Sequence, residues 1–141
     1  MAETIIEALW EYLKRCPLLK KYTVGVNFHT DDFDKAGIVE DNTEPVRNYL
    51  NGSSEKLLHV SLFLGAMSAT DIQRIKTSSF LEELRLWFVK ASRTNDLPQL
   101  PERYTAEDIR IGDAIPFEYG EDGQKCTYQM HIILDYIERN E

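Results

Sequence analysis

Between Lys56 and Met67 the side chains Leu58, Val60, Leu62 and Leu64 alternate with Leu57, His59, Ser61 and Phe63. A strand built from this stretch is apolar on one side and partly apolar on the other, so it belongs near the centre of a sheet and needs cover on both faces. A chain of 141 residues supports one hydrophobic core around such a strand, and two separate domains of half that size would each be marginal.

Further strands follow from the same period of two. Gln124 to Glu138 sets Cys126, Tyr128, Met130, Ile132, Leu134 and Tyr136 against Thr127, Gln129, His131, Ile133, Asp135 and Ile137. Tyr104 to Tyr119 contributes Ile109, Ile111, Ile115 and Phe117. Between these two stretches, Gly120-Glu121-Asp122-Gly123 holds an Asp-Gly pair that accepts the backbone angles of a tight turn, which predicts a C-terminal antiparallel hairpin. Near the start, Tyr22, Val24, Val26 and Phe28 mark one face of a strand, and the polar run His29 to Lys35 reads as a loop. Ile38-Val39-Glu40 reads as a short strand. Pro45 to Leu50 reads as an irregular or extended piece ended by Asn51-Gly52-Ser53-Ser54.

Two regions have helical spacing instead. From Thr4 to Arg15, residues Ile5, Ile6, Leu9, Trp10 and Leu13 form an apolar stripe, and Cys16-Pro17 ends it because proline disfavours helical geometry in the residue before it. Thr70-Asp71-Ile72-Gln73 and Ser79-Phe80-Leu81-Glu82 both fit the capping-box pattern, so a short helix leading into a longer one is expected. In the longer one Phe80, Leu81, Leu84, Trp87, Phe88 and Ala91 face inward, with Glu82, Glu83, Arg85 and Lys90 in water. Asn95 to Pro101 connects back to the sheet. Strands that pair as hairpins, with helices in separate blocks, make the fold α+β: a mostly antiparallel sheet with two main helices packed on one face.

Composition narrows the function classes. Hydrophobic residues at 43% and charged residues at 28% are ordinary for a folded domain and argue against disorder. The longest apolar run, Val60 to Met67, is far short of the roughly 20 residues of a membrane span. Met1 to Glu7 carries acidic residues where a secretion leader would carry basic ones, so a cytosolic protein is expected. Cys16 and Cys126 have no zinc-ligand or Cys-x-x-Cys spacing and read as reduced core thiols. A formal charge of −8, with scattered basic residues, would repel a phosphate backbone and argues against sequence-specific nucleic-acid binding.

Three places invite a chemical reading. His29-Thr30-Asp31-Asp32-Phe33-Asp34 gathers an imidazole and three carboxylates, but the glycine hinge and terminal glutamate of an EF-hand are missing, and a solvated turn is the simpler reading. His59 and Ser61 are neighbours in a strand pleat, yet no Gly-x-Ser-x-Gly elbow and no evident orienting acid accompany them. His131, between Met130 and Ile132, reads as a core or interface residue. The seven glycines are dispersed and trace no phosphate-binding loop. No catalytic, cofactor-binding or metal-ligating residue is therefore assigned.

The order of these features resembles a family of small proteins from the morphogenesis modules of long-tailed phages and prophages, the tail-terminator or minor capsid proteins. The resemblance is carried by Leu13-Lys14-Arg15-Cys16-Pro17-Leu18-Leu19, by Tyr49-Leu50-Asn51-Gly52-Ser53-Ser54, and by Ser78-Ser79-Phe80-Leu81-Glu82-Glu83-Leu84 with Trp87. Asn95-Asp96-Leu97-Pro98 and Lys125-Cys126-Thr127-Tyr128-Gln129-Met130 complete it. It implies an antiparallel sheet with helices on one side, in a structural protein without enzymatic activity or cofactor, assembled as a ring, typically hexameric, that caps the tail tube and offers a surface for head joining. Its implied partners are its own copies, the tail-tube protein and the head–tail connector proteins, first in the host cytoplasm and then in the virion.

A physical argument points the same way. Two helices cannot cover both faces of the sheet, so part of one face needs a partner, with Tyr128, Tyr136, Phe63 and Ile133 as candidates for it. Copies closing in a ring would meet head to tail. The rival readings are a small enzyme or ligand-binding domain using His29 or His59 beside carboxylates, and a monomeric adaptor for one cellular protein. A deep apolar pocket with converging polar groups would favour the first rival.

Overall fold

The computed structural model describes residues 3–20, 23–26, 35–67, 69–119 and 125–139. Helix α1 spans Ile5–Arg15. The side chain of Thr4 accepts a hydrogen bond from the backbone N–H of Glu7, satisfying one of the amides a helix start leaves open. Lys14 and Arg15 sit in the last turn, where the helix dipole favours cations. Cys16 turns extended before Pro17, and one turn of 3-10 helix, Pro17–Leu19, follows. Ala8, Leu9, Tyr12 and Leu13 are buried.

The strands are β1 (Thr23–Val26), β2 (Lys35–Asn48), β3 (Ser54–Met67), β4 (Tyr104–Ile111), β5 (Ile115–Tyr119) and β6 (Lys125–Glu138), with helix α2 (Asp71–Arg93) between β3 and β4. They form one sheet in the order β1-β2-β3-β6-β4, and β5 also pairs with β6. All pairings are antiparallel except β1 with β2. β3 pairs with β6 without a break from Ser54↔Glu138 to Met67↔Lys125, which puts the Lys56–Met67 stretch at the centre of the sheet as expected. The C-terminal hairpin pairing is present in Glu118↔Thr127 and Tyr119↔Cys126, while its turn lies outside the described residues. Of the expected Tyr22–Phe28 strand, Thr23–Val26 form β1, and Tyr22, Asn27 and Phe28 lie outside the described residues.

Leu58, Val60, Leu62 and Leu64 of β3, Met130, Ile132, Leu134 and Tyr136 of β6, and Ala36 and Ile38 of β2 share one face. That face packs against Leu9, Tyr12 and Leu13 of α1 and Leu81, Leu84 and Phe88 of α2 as a single core. Both helices thus cover the same side of an α+β sheet, the architecture expected from the strand and helix blocks. No helix among the described residues is long and apolar enough to cross a membrane.

Three expectations are corrected. The separate pieces Ile38–Glu40 and Pro45–Leu50 are joined in one long strand, β2, which runs through Asn48. Bulges at Asp41 and Val46 each insert a residue and flip the alternation, so the period of two is lost from the sequence while the ladder continues. The two helix starts collapse into one: Thr70 and Gln73 make a complete capping box, whereas Ser79 lies inside α2. Helix α2 then ends in a Schellman motif. Asn95 adopts a left-handed φ of 59°, Asp96 N–H donates to Ala91 O at 2.8 Å, and Asn95 N–H donates to Ser92 O at 3.3 Å. The third correction concerns the candidate contact face. Tyr136 and Tyr128 have the parity of Met130 and Ile132 and lie on the helix-covered side, with Tyr136 in the core and Tyr128 packed against it. Phe63 points the other way but is buried, with the Phe117 ring edge-on at 4.9 Å. Of the four candidates, Ile133 alone is partly exposed on the free face.

Candidate functional site

The second face of the sheet carries neither helix. Its residues follow from the register: Arg47, Glu55, Ile137 and Thr105 lie side by side, then Glu44, Leu57 and Asp135, then Asn42, His59, Ile133 and Arg110, while Asp108, next in register to Asp135 at the β4 bulge, accepts a hydrogen bond from the Ser92 hydroxyl of α2. The face is therefore a mosaic of partly exposed aliphatic side chains and ionisable groups.

Two polar chains cross it. In the first, His59 Nε2 lies 2.8 Å from Glu44 Oε1, and His59 Nδ1 lies 2.9 Å from His131 Nε2 with the rings stacked at 28°. In the second, Gln129 Nε2 donates to Ser61 Oγ at 3.0 Å, and Ser61 Oγ donates to Asp41 Oδ2 at 2.7 Å. Asp41 also stands 3.9 Å from His131 Nδ1, which links the two chains. Asp41 reaches the face because it is the extra residue of the β2 bulge.

This arrangement decides the chemistry at His59 and Ser61. A serine nucleophile needs its hydroxyl proton accepted by a base that can release it, usually a histidine aimed at Oγ. Ser61 instead gives its proton to a carboxylate, and the two nitrogens of His59 are engaged by Glu44 and His131. The network holds β2, β3 and β6 together across the face. It does not assemble a nucleophile and its base.

A third cluster lies beside it. Arg47 Nε contacts Glu55 Oε1 at 3.0 Å, and Arg110 Nε stands 3.8 Å from Asp108 Oδ2. Between them, one carboxylate oxygen of Asp135, Oδ1, is buried without a hydrogen-bond partner. Burial, then the hydrogen bond and charge of Glu55, push the Asp135 carboxyl up to about 6, against a smaller lowering by Arg110.

Among the described residues no group of three or more His, Cys, Asp or Glu side chains could hold a metal ion. His29, Asp31, Asp32 and Asp34, weighed as a metal site in the sequence, lie outside those residues. His59 and His131, spaced far apart in the chain, are brought together, and the orienting acids missing near His59 in sequence are supplied by Glu44 and Asp41 of β2. The Glu55–Asp135 pair had no signal in the sequence, because it depends on the β3–β6 register.

The concavities are open and shallow. One of about 400 Å³ lies between α2 and β4, lined by Phe88, Val89, Ser92, Asp108, Ile109 and Ile111 among others. Another, of about 390 Å³, lies between α2 and β5 and includes Arg74, Glu82, Arg85, Tyr128 and Met130. Neither takes in the His59–His131 pair. In comparisons with known proteins, the chain matches no protein-family model and no curated protein.

Proposed function

We propose that this chain is a structural subunit of the tail-terminator type, which closes on its own copies into a ring at the end of a long phage tail tube. In this reading it is not an enzyme and uses no cofactor. Its contacts are with its own copies, with the tube protein and with the head–tail connector, first in the host cytoplasm and then in the virion. The observation that carries the reading is the one-sided sheet: α1 and α2 share the core face, while Leu57, Ile133 and Ile137 stay partly exposed among ionisable groups on the other. Aliphatic side chains spaced through polar groups that pair with one another, Asp135 Oδ1 excepted, suit a surface that is covered in assembly and tolerates water before it. The helix-on-one-face architecture is also the one the sequence resemblance implies. A net charge of −8 per copy would give a ring an interior that repels DNA phosphates and lets the genome pass.

The test is assembly on a tube. The adjoining genes are read for a tail-tube protein, and tubes of that protein are mixed with the chain, then examined by electron microscopy and native mass spectrometry. Rings of defined copy number at tube ends are expected. Uncapped tubes together with a chain that stays monomeric at all concentrations would end the tail reading.

A further inference from the structure

We infer that Glu44, His59, His131 and Asp41 form a proton-operated latch on the helix-free face, in which one added proton is shared by the two imidazoles and ties β6 to the bulge of β2. The inference goes beyond the tail reading and does not rest on it.

The need for such a tie follows from the strand order. β3 lies between β2 and β6, so β2 and β6 share no backbone ladder and can be joined on this face only by side chains that pass over β3. Asp41 and Glu44 are three residues apart on one strand, and a regular pleat would turn them to opposite faces. The bulge at Asp41 removes that alternation and leaves both on the helix-free side. They end a chain of contacts whose middle is His59 of β3 and His131 of β6.

Counting protons shows what the chain can do. Its three contacts are Glu44 Oε1 to His59 Nε2 at 2.8 Å, His59 Nδ1 to His131 Nε2 at 2.9 Å, and His131 Nδ1 to Asp41 Oδ2 at 3.9 Å. Each takes one proton when it is a hydrogen bond. Two neutral imidazoles bring two protons, which fill the first two contacts and leave the third empty. The third is the one that stands open, beyond hydrogen-bond reach. One added proton fills it and completes the chain. With both rings protonated there are four, and the middle contact would set N–H against N–H.

In the completed chain the middle proton can sit on either ring while the outer two stay in place. The added charge is therefore spread over both imidazoles, with a carboxylate at each end. The His131 and Asp41 side chains are 45% and 38% exposed, so the proton comes directly from solvent, and the carboxylate can close by about 1 Å to the length of a charged hydrogen bond. Asp41 Oδ2 also accepts from Ser61 Oγ, and a carboxylate has room for more than one donor. The remaining neighbours leave the balance with the two carboxylates. Ser61 of β3 and Gln129 of β6 are neutral, and the β4 cation Arg110, in register with Ile133, stands 3.8 Å from Asp108. The next ionisable group along β6 on this face is Asp135. Both helices pack on the other side of the sheet.

Nuclear magnetic resonance of the full chain, with nitrogen-15 in its histidines, tests the latch. As the pH is lowered through the range where imidazoles take up a second proton, the His59 and His131 signals should move together over the first added proton. In that state the outer nitrogens, His59 Nε2 and His131 Nδ1, should be protonated, and the two central ones should average between protonated and bare. Asp41→Asn should shift the average toward a charged His59, and Glu44→Gln toward a charged His131. Over the same step, hydrogen exchange of the β2 amides from Val39 to Thr43, corrected for its intrinsic pH dependence, should slow about threefold, the scale of one partly exposed ion pair. It should not slow in Asp41→Asn or His131→Gln.

Rings that titrate as independent sites, each with the same curve after the other is replaced by glutamine, would overturn the shared proton. Exchange that is unchanged across the step, or slows equally in Asp41→Asn, would overturn the tie to the bulge. The wild-type spectra decide the first point without any variant, and neither result touches the tail reading, which is tested on tubes.

Discussion

Nδ1 of His59 and Nε2 of His131 lie 2.9 Å apart on the helix-free face, and the other nitrogen of His59 is held by Glu44 at 2.8 Å. A carboxylate accepts protons, so Glu44 fixes the proton of neutral His59 on Nε2 and leaves Nδ1 bare. His131 must then donate from Nε2. While both rings are neutral, the pair is therefore a directional chain running from His131 through His59 to Glu44.

The first prediction is the tautomer. Nitrogen-15 spectra of the neutral imidazoles should show both His59 and His131 protonated on Nε2, and Glu44→Gln should broaden or redistribute the His59 signals. A His59 carrying its proton on Nδ1 in the wild-type protein would contradict the chain of donors.

The second prediction concerns how α1 is tied to the rest of the core. Tyr12 is buried between Trp87 and Phe88, at ring distances of 5.6 and 6.4 Å, and its hydroxyl donates to the backbone carbonyl of Asp96 at 2.8 Å. Burial pushes the phenol well above its usual range, so it stays a neutral donor across the physiological span. Tyr12→Phe keeps the ring and loses one hydrogen bond. Chemical denaturation should show a loss of about 1 kcal/mol, and Tyr12→Ala should lose about 3–5 kcal/mol through the cavity it leaves.

Much of the fold is legible in the sequence where a segment obeys one period throughout. The central strand, the α1 stripe ended by Cys16-Pro17, and the closing strand with its alternation from Cys126 to Tyr136 all keep a single period over their length. β2 does not, because the bulges at Asp41 and Val46 switch faces twice within one strand, and each fragment looks too short to be a strand. The candidate site is less legible for a related reason. The Glu44–His59–His131 chain draws on three strands, and which residues of β2 oppose β3 is set by those same bulges. Of the candidates for the contact face, Tyr128 and Tyr136 share the parity of Met130 and Ile132 in the sequence, and that parity puts them with the core. Ile72 and Ile75 precede the second capping pattern, which in the sequence assigns them to a separate short helix, whereas they lie exposed in the first turns of α2.

That capping ambiguity gives the third prediction. Thr70 Oγ1 accepts from Gln73 N–H at 3.1 Å, and the Gln73 side chain accepts from Thr70 N–H at 3.1 Å, so both open amides are satisfied at one start. Ser79 sits exposed within the helix, where a hydroxyl contributes no cap. Thr70→Ala should cost about 1 kcal/mol. Ser79→Ala should be neutral or stabilising by several tenths of a kcal/mol, because alanine has the higher helix propensity. Equal losses at both positions in urea unfolding would indicate two helices where one is described.

The last prediction follows from Asp135, whose Oδ1 is buried without a partner beside Glu55. Its carboxyl is raised from 3.8 to about 6 in the folded chain, so between these values the native state binds more protons than the unfolded one. Stability must then fall as the pH rises through that window, the reverse of the usual effect of a paired carboxylate, and above about 6 the whole penalty is present. Two pH units would be worth close to 3 kcal/mol for a fully desolvated group. Solvent at this partly exposed site screens the effect to on the order of 1 kcal/mol. Asp135→Asn keeps the shape and a hydrogen bond toward Glu55 but carries no charge. At pH 7.5 it should be more stable than the wild-type chain by about that amount. Below about pH 3, where the aspartic acid is protonated in both states, the two proteins should unfold at the same urea concentration. If an assembled neighbour covers the face and gives Oδ1 a donor, the advantage of asparagine should disappear in the assembled form, so the same pair of variants, compared free and assembled, reports whether Asp135 is capped by the next copy.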